Sequence, residues 1–363
     1  MSPTPLPVAV RTASPGPAAA GVREPVRPHP RATPARRRRG LAALALLLVV
    51  VTGASLAVGA RPVPLAEVWS ALVGPTGTAS DVVVRDLRLP RTLVGLAVGA
   101  ALGLAGALMQ AHTRNPLAEP GLLGVSAGAA FAVVLGIQLA GVTATAGLVW
   151  WALAGALVAS VVVAALGAVA GGRGGPVTLV LAGAVVSAFL VALTSAVVLL
   201  DATTLDGYRF WVVGSVAGRD LEVLLAVLPF LVVGAVLATA QAPALDSLAL
   251  GEDVARGLGR HVGRARLLGL VAVTLLAGGA VAAAGPLGFV GLVVPHVARA
   301  LTGPDHRWLL PSAALAGAVL VLAADVLGRV VARPGELQTG VVLALVGAPV
   351  LVALVRRRRL VGL

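Results

Sequence analysis

Three arginines carry the most chemical potential in this chain: Arg88 and Arg91, three residues apart in RLPR, and Arg329, one helical turn after Asp325. A guanidinium presents a planar fork of donors that can hold a carboxylate through two parallel hydrogen bonds. Arginines at the edge of an apolar run could therefore take an acidic partner. They could equally be interfacial anchors with their stems laid along apolar surface, Arg329 being paired with Asp325. A second constellation is LALGEDVARGLG at 248–259, where Leu248, Leu250, Val254, Ala255 and Leu258 stand beside Glu252, Asp253 and Arg256. Gly251, Gly257 and Gly259 supply breaks, so this stretch reads as short helices or as a solvated basic loop.

Enzymatic chemistry finds little support. There is no cysteine, and GLGRHVG lacks the Lys-Ser/Thr ending of a phosphate-binding loop, so no ATP hydrolysis is expected of this chain itself. His296 has no second histidine or carboxylate at ligand spacing and reads as a packed helix-end residue, as does His112; no metal or cofactor is expected. Glu119 in NPLAEPG reads as a helix-terminus carboxylate rather than a catalytic acid. Neither a Ser/His pair, a pair of membrane aspartates nor HExxH is present, which disfavours an intramembrane protease.

The elements that must position these residues are membrane helices. Of 363 residues, 58% are hydrophobic and 12% charged, with a mean hydropathy of +0.98, far from soluble norms. The 45 glycines favour close helix packing. The net charge of +13 could suit nucleic acid, but the arginines gather at the edges of apolar runs, as topology signals do. Between Arg91 and Arg114 lie 22 uncharged residues, enough for one bilayer crossing, which takes about 20 helical residues.

In chain order, residues 1–39 form a Pro- and Arg-rich tail without a core, and 40–60 the first span, entered from Arg36–Arg39. A polar segment at 63–85 precedes the 92–111 span. The uncharged run 120–172 holds two spans with a turn near Gly141–Thr143; 176–200 is the next, and 201–220 is a short helix at the outer face. Residues 223–241 cross back to the polar loop 242–266. The run 267–298 breaks at Gly285-Pro286 into two helices; 309–330 and 338–355 complete about ten, and 358–363 is a short tail. This topology places 16 arginines inside and 8 outside, as the positive-inside bias requires, with both termini cytoplasmic.

RLPRTL (88–93), NPLAEPGLLGVSAGA (115–129), LALGEDVARGLG (248–259), GPLGFVGLVVPHVAR (285–299), DHRWLLP (305–311) and PGELQTGVVLALVGAPV (334–350) occur in one order over residues 40–357. Together they resemble the permease subunits of FecCD-type (type II) ABC importers for iron-siderophore, haem and cobalamin. The resemblance implies an all-α polytopic fold of ten transmembrane helices in a bacterial cytoplasmic membrane. It implies a dimer with itself or a second related permease, two ATP-binding cassette ATPase subunits, and an extracytoplasmic substrate-binding protein. Arg88, Arg91 and Arg329 match arginines that receive glutamates of the binding protein. Leu248, Leu250, Gly251, Glu252, Val254, Ala255, Arg256, Leu258 and Gly259 match the segment that couples to the ATPase. The translocation path maps to about 178–215 and 338–355, and its cytoplasmic gate to Gly174, Gly175, Pro176, Val177 and Thr178, where relatives often carry small hydroxyl residues. Ferric siderophore is the expected cargo, with cobalamin or haem as alternatives. An ion-coupled secondary transporter is the alternative from another class, disfavoured by the lack of paired membrane carboxylates.

Overall fold

The computed structural model describes residues 33–59, 61–169 and 176–356, and among these every regular element is helical. Helix α1 (Pro34–Ala57) is followed by the short α2 (Leu65–Val73) and by α3 (Ala79–Val82), which a π-helical turn over Val83–Arg88 joins to α4 (Leu89–Thr113). Then come α5 (Val125–Ala140), α6 (Thr145–Val169), α7 (Pro176–Leu200), α8 (Ala202–Val212) and α9 (Leu221–Ala240). The short pair α10 (Ala242–Ala249) and α11 (Glu252–Gly257) leads to α12 (Val262–Ala284), α13 (Val290–Thr302), α14 (His306–Val331) and α15 (Thr339–Arg356).

Seven of these segments are long and apolar enough to cross a membrane, and α5, α13 and α15 are shorter apolar helices. That makes ten among the described residues, the number expected. Boundaries differ where local chemistry outweighs hydropathy. Thr33 caps α1 by accepting from the Arg36 N–H, with Pro34 in the first turn, so Arg36–Arg39 belong to the helix instead of preceding it. The polar segment 63–85 is mostly helical: Val68 and Ala71 of α2 pack under Leu56, Val63 and Val84. Asp201 caps α8 through Thr204 N–H at 2.7 Å, giving the short helix predicted there. The break at Gly285 (φ +72) ends α12 and starts the turn into α13.

Helix α4 lies at the centre, buried along nearly its whole length and packed against α9, α12, α13 and α14. Gly99 and Gly103 let its backbone meet that of α14. A Cβ on Gly103 would collide with the Ala313 carbonyl, and one on Gly99 with that of Gly317. By contrast α1, α7 and α9 expose Leu46, Val49, Phe189 and Val232, apolar surface that suits lipid or a neighbouring subunit.

Candidate functional site

Charged side chains gather at the two ends of this bundle. At one end a cavity of about 340 Å³ is walled by Arg61, Arg88, Arg91, Arg219, Arg329 and Glu336. The three predicted arginines meet here, reaching it from α14 and from the helical run through α4. Arg88 Nη1 donates to Leu56 O at 2.7 Å and its Nη2 to Arg61 O. Arg329 Nη1 donates to Ser55 O and Val58 O, both at 2.9 Å, and Nη2 to Ser55 Oγ at 3.0 Å. These carbonyls belong to the last turn of α1 and the residues after it, which have no intrahelical donors, so two arginines from neighbouring helices cap α1.

Arg91 spans two acids. Its Nη2 lies 2.8 Å from Asp325 Oδ1, its Nε 3.1 Å from both Asp325 oxygens, and its Nη1 2.7 Å from Glu336. Asp325 is 0% exposed; it also pairs with Arg329 at 3.0 Å and accepts from Thr339 Oγ1 at 3.2 Å. One carboxylate thus ties α4, α14 and α15 together. The sequence marked Arg329 as its partner; Arg91, Glu336 and Ser55 carried no such mark, because their contacts in this cluster join residues 234 to 274 positions apart. The terminal nitrogens of Arg88 and Arg329 are thus engaged within the chain, the Arg329 Nε is buried without a hydrogen-bond partner, and Arg61 is exposed at the rim.

At the opposite end α10 and α11 form a helical step. Leu248, Ala255, Val262 and Ala265 make a small core beneath it, while Leu250, Val254 and Leu258 are 66%, 48% and 61% exposed at intervals of four residues. Gly251 (φ +110) and Gly259 (φ +76) take the left-handed backbone that frames α11, whereas Gly257 ends it. Glu252 anchors the step: it pairs with Arg266, with Arg256 at 3.3 Å and with Arg114 at 3.9 Å. Asp246 of α10 accepts from the His306 backbone N–H at 3.1 Å and lies 2.6 Å from its Nδ1, joining the step to the start of α14. Burial raises the Asp246 carboxyl, but the His306 hydrogen bonds outweigh it and hold the group below the usual carboxylate range. Arg37 pairs with Asp305 at 2.7 Å at this same end.

Glu119 accepts from Phe289 N–H at 3.0 Å, at the N-terminus of α13, and His296 Nε2 lies 2.9 Å from Pro116 O, so both play the structural parts expected of them. Less legible was Arg299, read as one of the inner edge charges. It is buried, and its Nη2 donates to Gln110 Oε1, while Gln110 Nε2 donates to Leu292 O at 3.1 Å. Of the predicted gate, Gly174 and Gly175 lie outside the described residues; Pro176, Val177 and Thr178 form the first turn of α7.

Ten apolar helices, seven of them long enough to span a bilayer, with ion pairs held at the two ends of the bundle, mark an integral membrane protein. Residues 46–357 match the FecCD transport family, and the chain belongs to that family of ABC transporter permeases. It is 51% identical over 316 residues to the ferric enterobactin transport system permease protein FepD of Escherichia coli K12, covering 87% of this chain and 94% of that one. It is 40% identical over 331 residues to the Fe(3+) dicitrate transport system permease protein FecC of the same organism, covering 87% and 96%. A solved structure described as the inward-facing conformation of a metal-chelate type ABC transporter superposes with a TM-score of 0.78 at 30% identity, over 88% of this chain and 99% of that one.

Proposed function

We propose that this permease forms, as a dimer with itself or a related chain, the translocation path for a ferric siderophore through a bacterial cytoplasmic membrane. The observation that carries the proposal is the division between the two ends. One holds an arginine-lined cavity, the other a helical step with an unpartnered apolar stripe. In this reading a substrate-binding protein docks at the Arg88, Arg91 and Arg329 cluster, whose positive field attracts its carboxylates. An ATPase cleft takes the stripe of Leu250, Val254 and Leu258, on the cytoplasmic side with both termini.

The step is bonded to α14 through Asp246 and to α4 and α12 through Glu252. A push on it is thereby passed to the central helices, and from them to the loosely packed α7 that lines the path. Both relatives named above are iron-chelate permeases by name, which supports a ferric cargo.

The test is accumulation of radiolabelled ferric catecholate in proteoliposomes holding the permease, its ATPase and its binding protein. Uptake that requires both partners and ATP, and falls at least several-fold in Arg91→Gln, is expected. Uptake driven by an ion gradient without ATP would overturn the importer reading. Uptake of cobalamin or haem in place of the ferric chelate would overturn only the cargo.

A further inference from the structure

A second cavity, of about 320 Å³, lies at the Glu252 end, between the ends of α4 and α6 and the starts of α7 and α12. Its interior is hydrocarbon: Leu123, Leu179, Leu270 and Val273. Three polar side chains break that lining: His112, Arg266 and Thr113, whose hydroxyl is spent on the Met109 carbonyl at 2.7 Å. The His112 ring lies against the backbone of Gly269, and neither of its nitrogens has a hydrogen-bond partner of ordinary geometry although both are buried. Arg266 sits in the second turn of α12, immediately before the uncharged run that fills the rest of that helix. The rim residue Leu267 is 61% exposed, so the cavity opens on an apolar flank of the bundle.

An apolar chamber open at an exposed apolar rim, with one cation at its edge, matches one chemistry. We propose that this cavity holds an anionic phospholipid of the adjoining leaflet, with an acyl chain in the chamber and the phosphate on Arg266. The guanidinium fork suits a phosphate. Arg266 is also the nearest partner of Glu252, so a phosphate there competes for the cation that fixes α11. Lipid occupancy is thereby linked to the helical step. The site depends on the chain spanning a membrane and is independent of which cargo it carries.

The experiment is native mass spectrometry of the full-length permease complex, extracted from bilayers of equal phosphatidylglycerol and phosphatidylcholine. One phosphatidylglycerol per permease chain is expected to survive delipidation, preferred about five-fold over phosphatidylcholine, the discrimination of one arginine near an anionic surface. Ala164→Phe, which fills the chamber, is expected to lose that lipid. Arg266→Gln is expected to keep a lipid and lose the preference. Absence of retained lipid in the unaltered protein, or equal retention by Ala164→Phe, would overturn the site. Equal retention of the two lipids by the unaltered protein would overturn the headgroup assignment without recourse to any variant.

Discussion

At the scale of single residues, Asp325 is where the arginine cluster is most vulnerable. Its carboxylate is fully buried and shared by Arg91 and Arg329, so its removal takes from two buried guanidinium groups the counter-ion they share. Breaking a buried ion pair by deleting one partner costs about 3–5 kcal/mol. Asp325→Ala should therefore show a sharply lowered midpoint of thermal unfolding in detergent. Glu336, whose side chain is 37% exposed, contacts the same Arg91, and a pair on that rim contributes about 1 kcal/mol or less. Glu336→Ala should unfold close to the unaltered protein; equal losses for the two variants would mean the network is not centred on Asp325. The arginines were visible in the sequence because RLPR and DVLGR stand at the edges of apolar runs. Their present engagement was not, since it depends on α1 ending beside α4 and α14, which helical spacing cannot express. The Arg299–Gln110 contact was hidden for the same reason: both residues lie near helix ends and look like ordinary edge polarity until α13 is laid on α4.

At the scale of elements, the helices were legible wherever charge marked their limits, as between Arg91 and Arg114, and less so where caps set them, as at Thr33. The seam between α4 and α14 depends on Gly99 and Gly103. Gly103→Val would drive a branched side chain into the Ala313 carbonyl, and overpacking of this kind costs about 1–3 kcal/mol. It should lower the unfolding midpoint, while the same change at Gly53, which meets nothing within 4 Å, should be mild. The tie between α10 and α14 carries a pH dependence whose sign follows from Asp246. Its folded carboxyl titrates below the ordinary aspartate value of about 3.9, so its stabilisation is complete above that value and fades as pH falls through the lower, folded one. Asp246→Asn should cost stability at neutral pH and nothing extra in strong acid, measured as unfolding midpoints of both proteins across pH. A deficit that grew as the pH fell would contradict the assignment.

At the scale of the whole molecule, the sequence carried the helix count and the sorting of arginines, because both are consequences of the bilayer acting as solvent. It did not carry which residues each end brings together. The structure gathers Arg61, Arg88, Arg91, Arg219 and Arg329 at one end, and Arg37, Arg114, Arg256 and Arg266 with their acids at the other. The proposed import mechanism requires these ends to face opposite sides of the membrane, the first outward. The chain has no cysteine, so single introduced thiols can report sidedness without background. Thr76→Cys lies on the exposed segment of the Arg88 end and Arg256→Cys on the helical step. The deciding measurement is labelling of each by a membrane-impermeant maleimide in intact spheroplasts and after permeabilisation. The account predicts that Thr76→Cys reacts in both and Arg256→Cys only after permeabilisation. Reaction of Arg256→Cys in intact spheroplasts would put the helical step outside, beyond reach of any cytoplasmic ATPase, and would contradict the mechanism at its root.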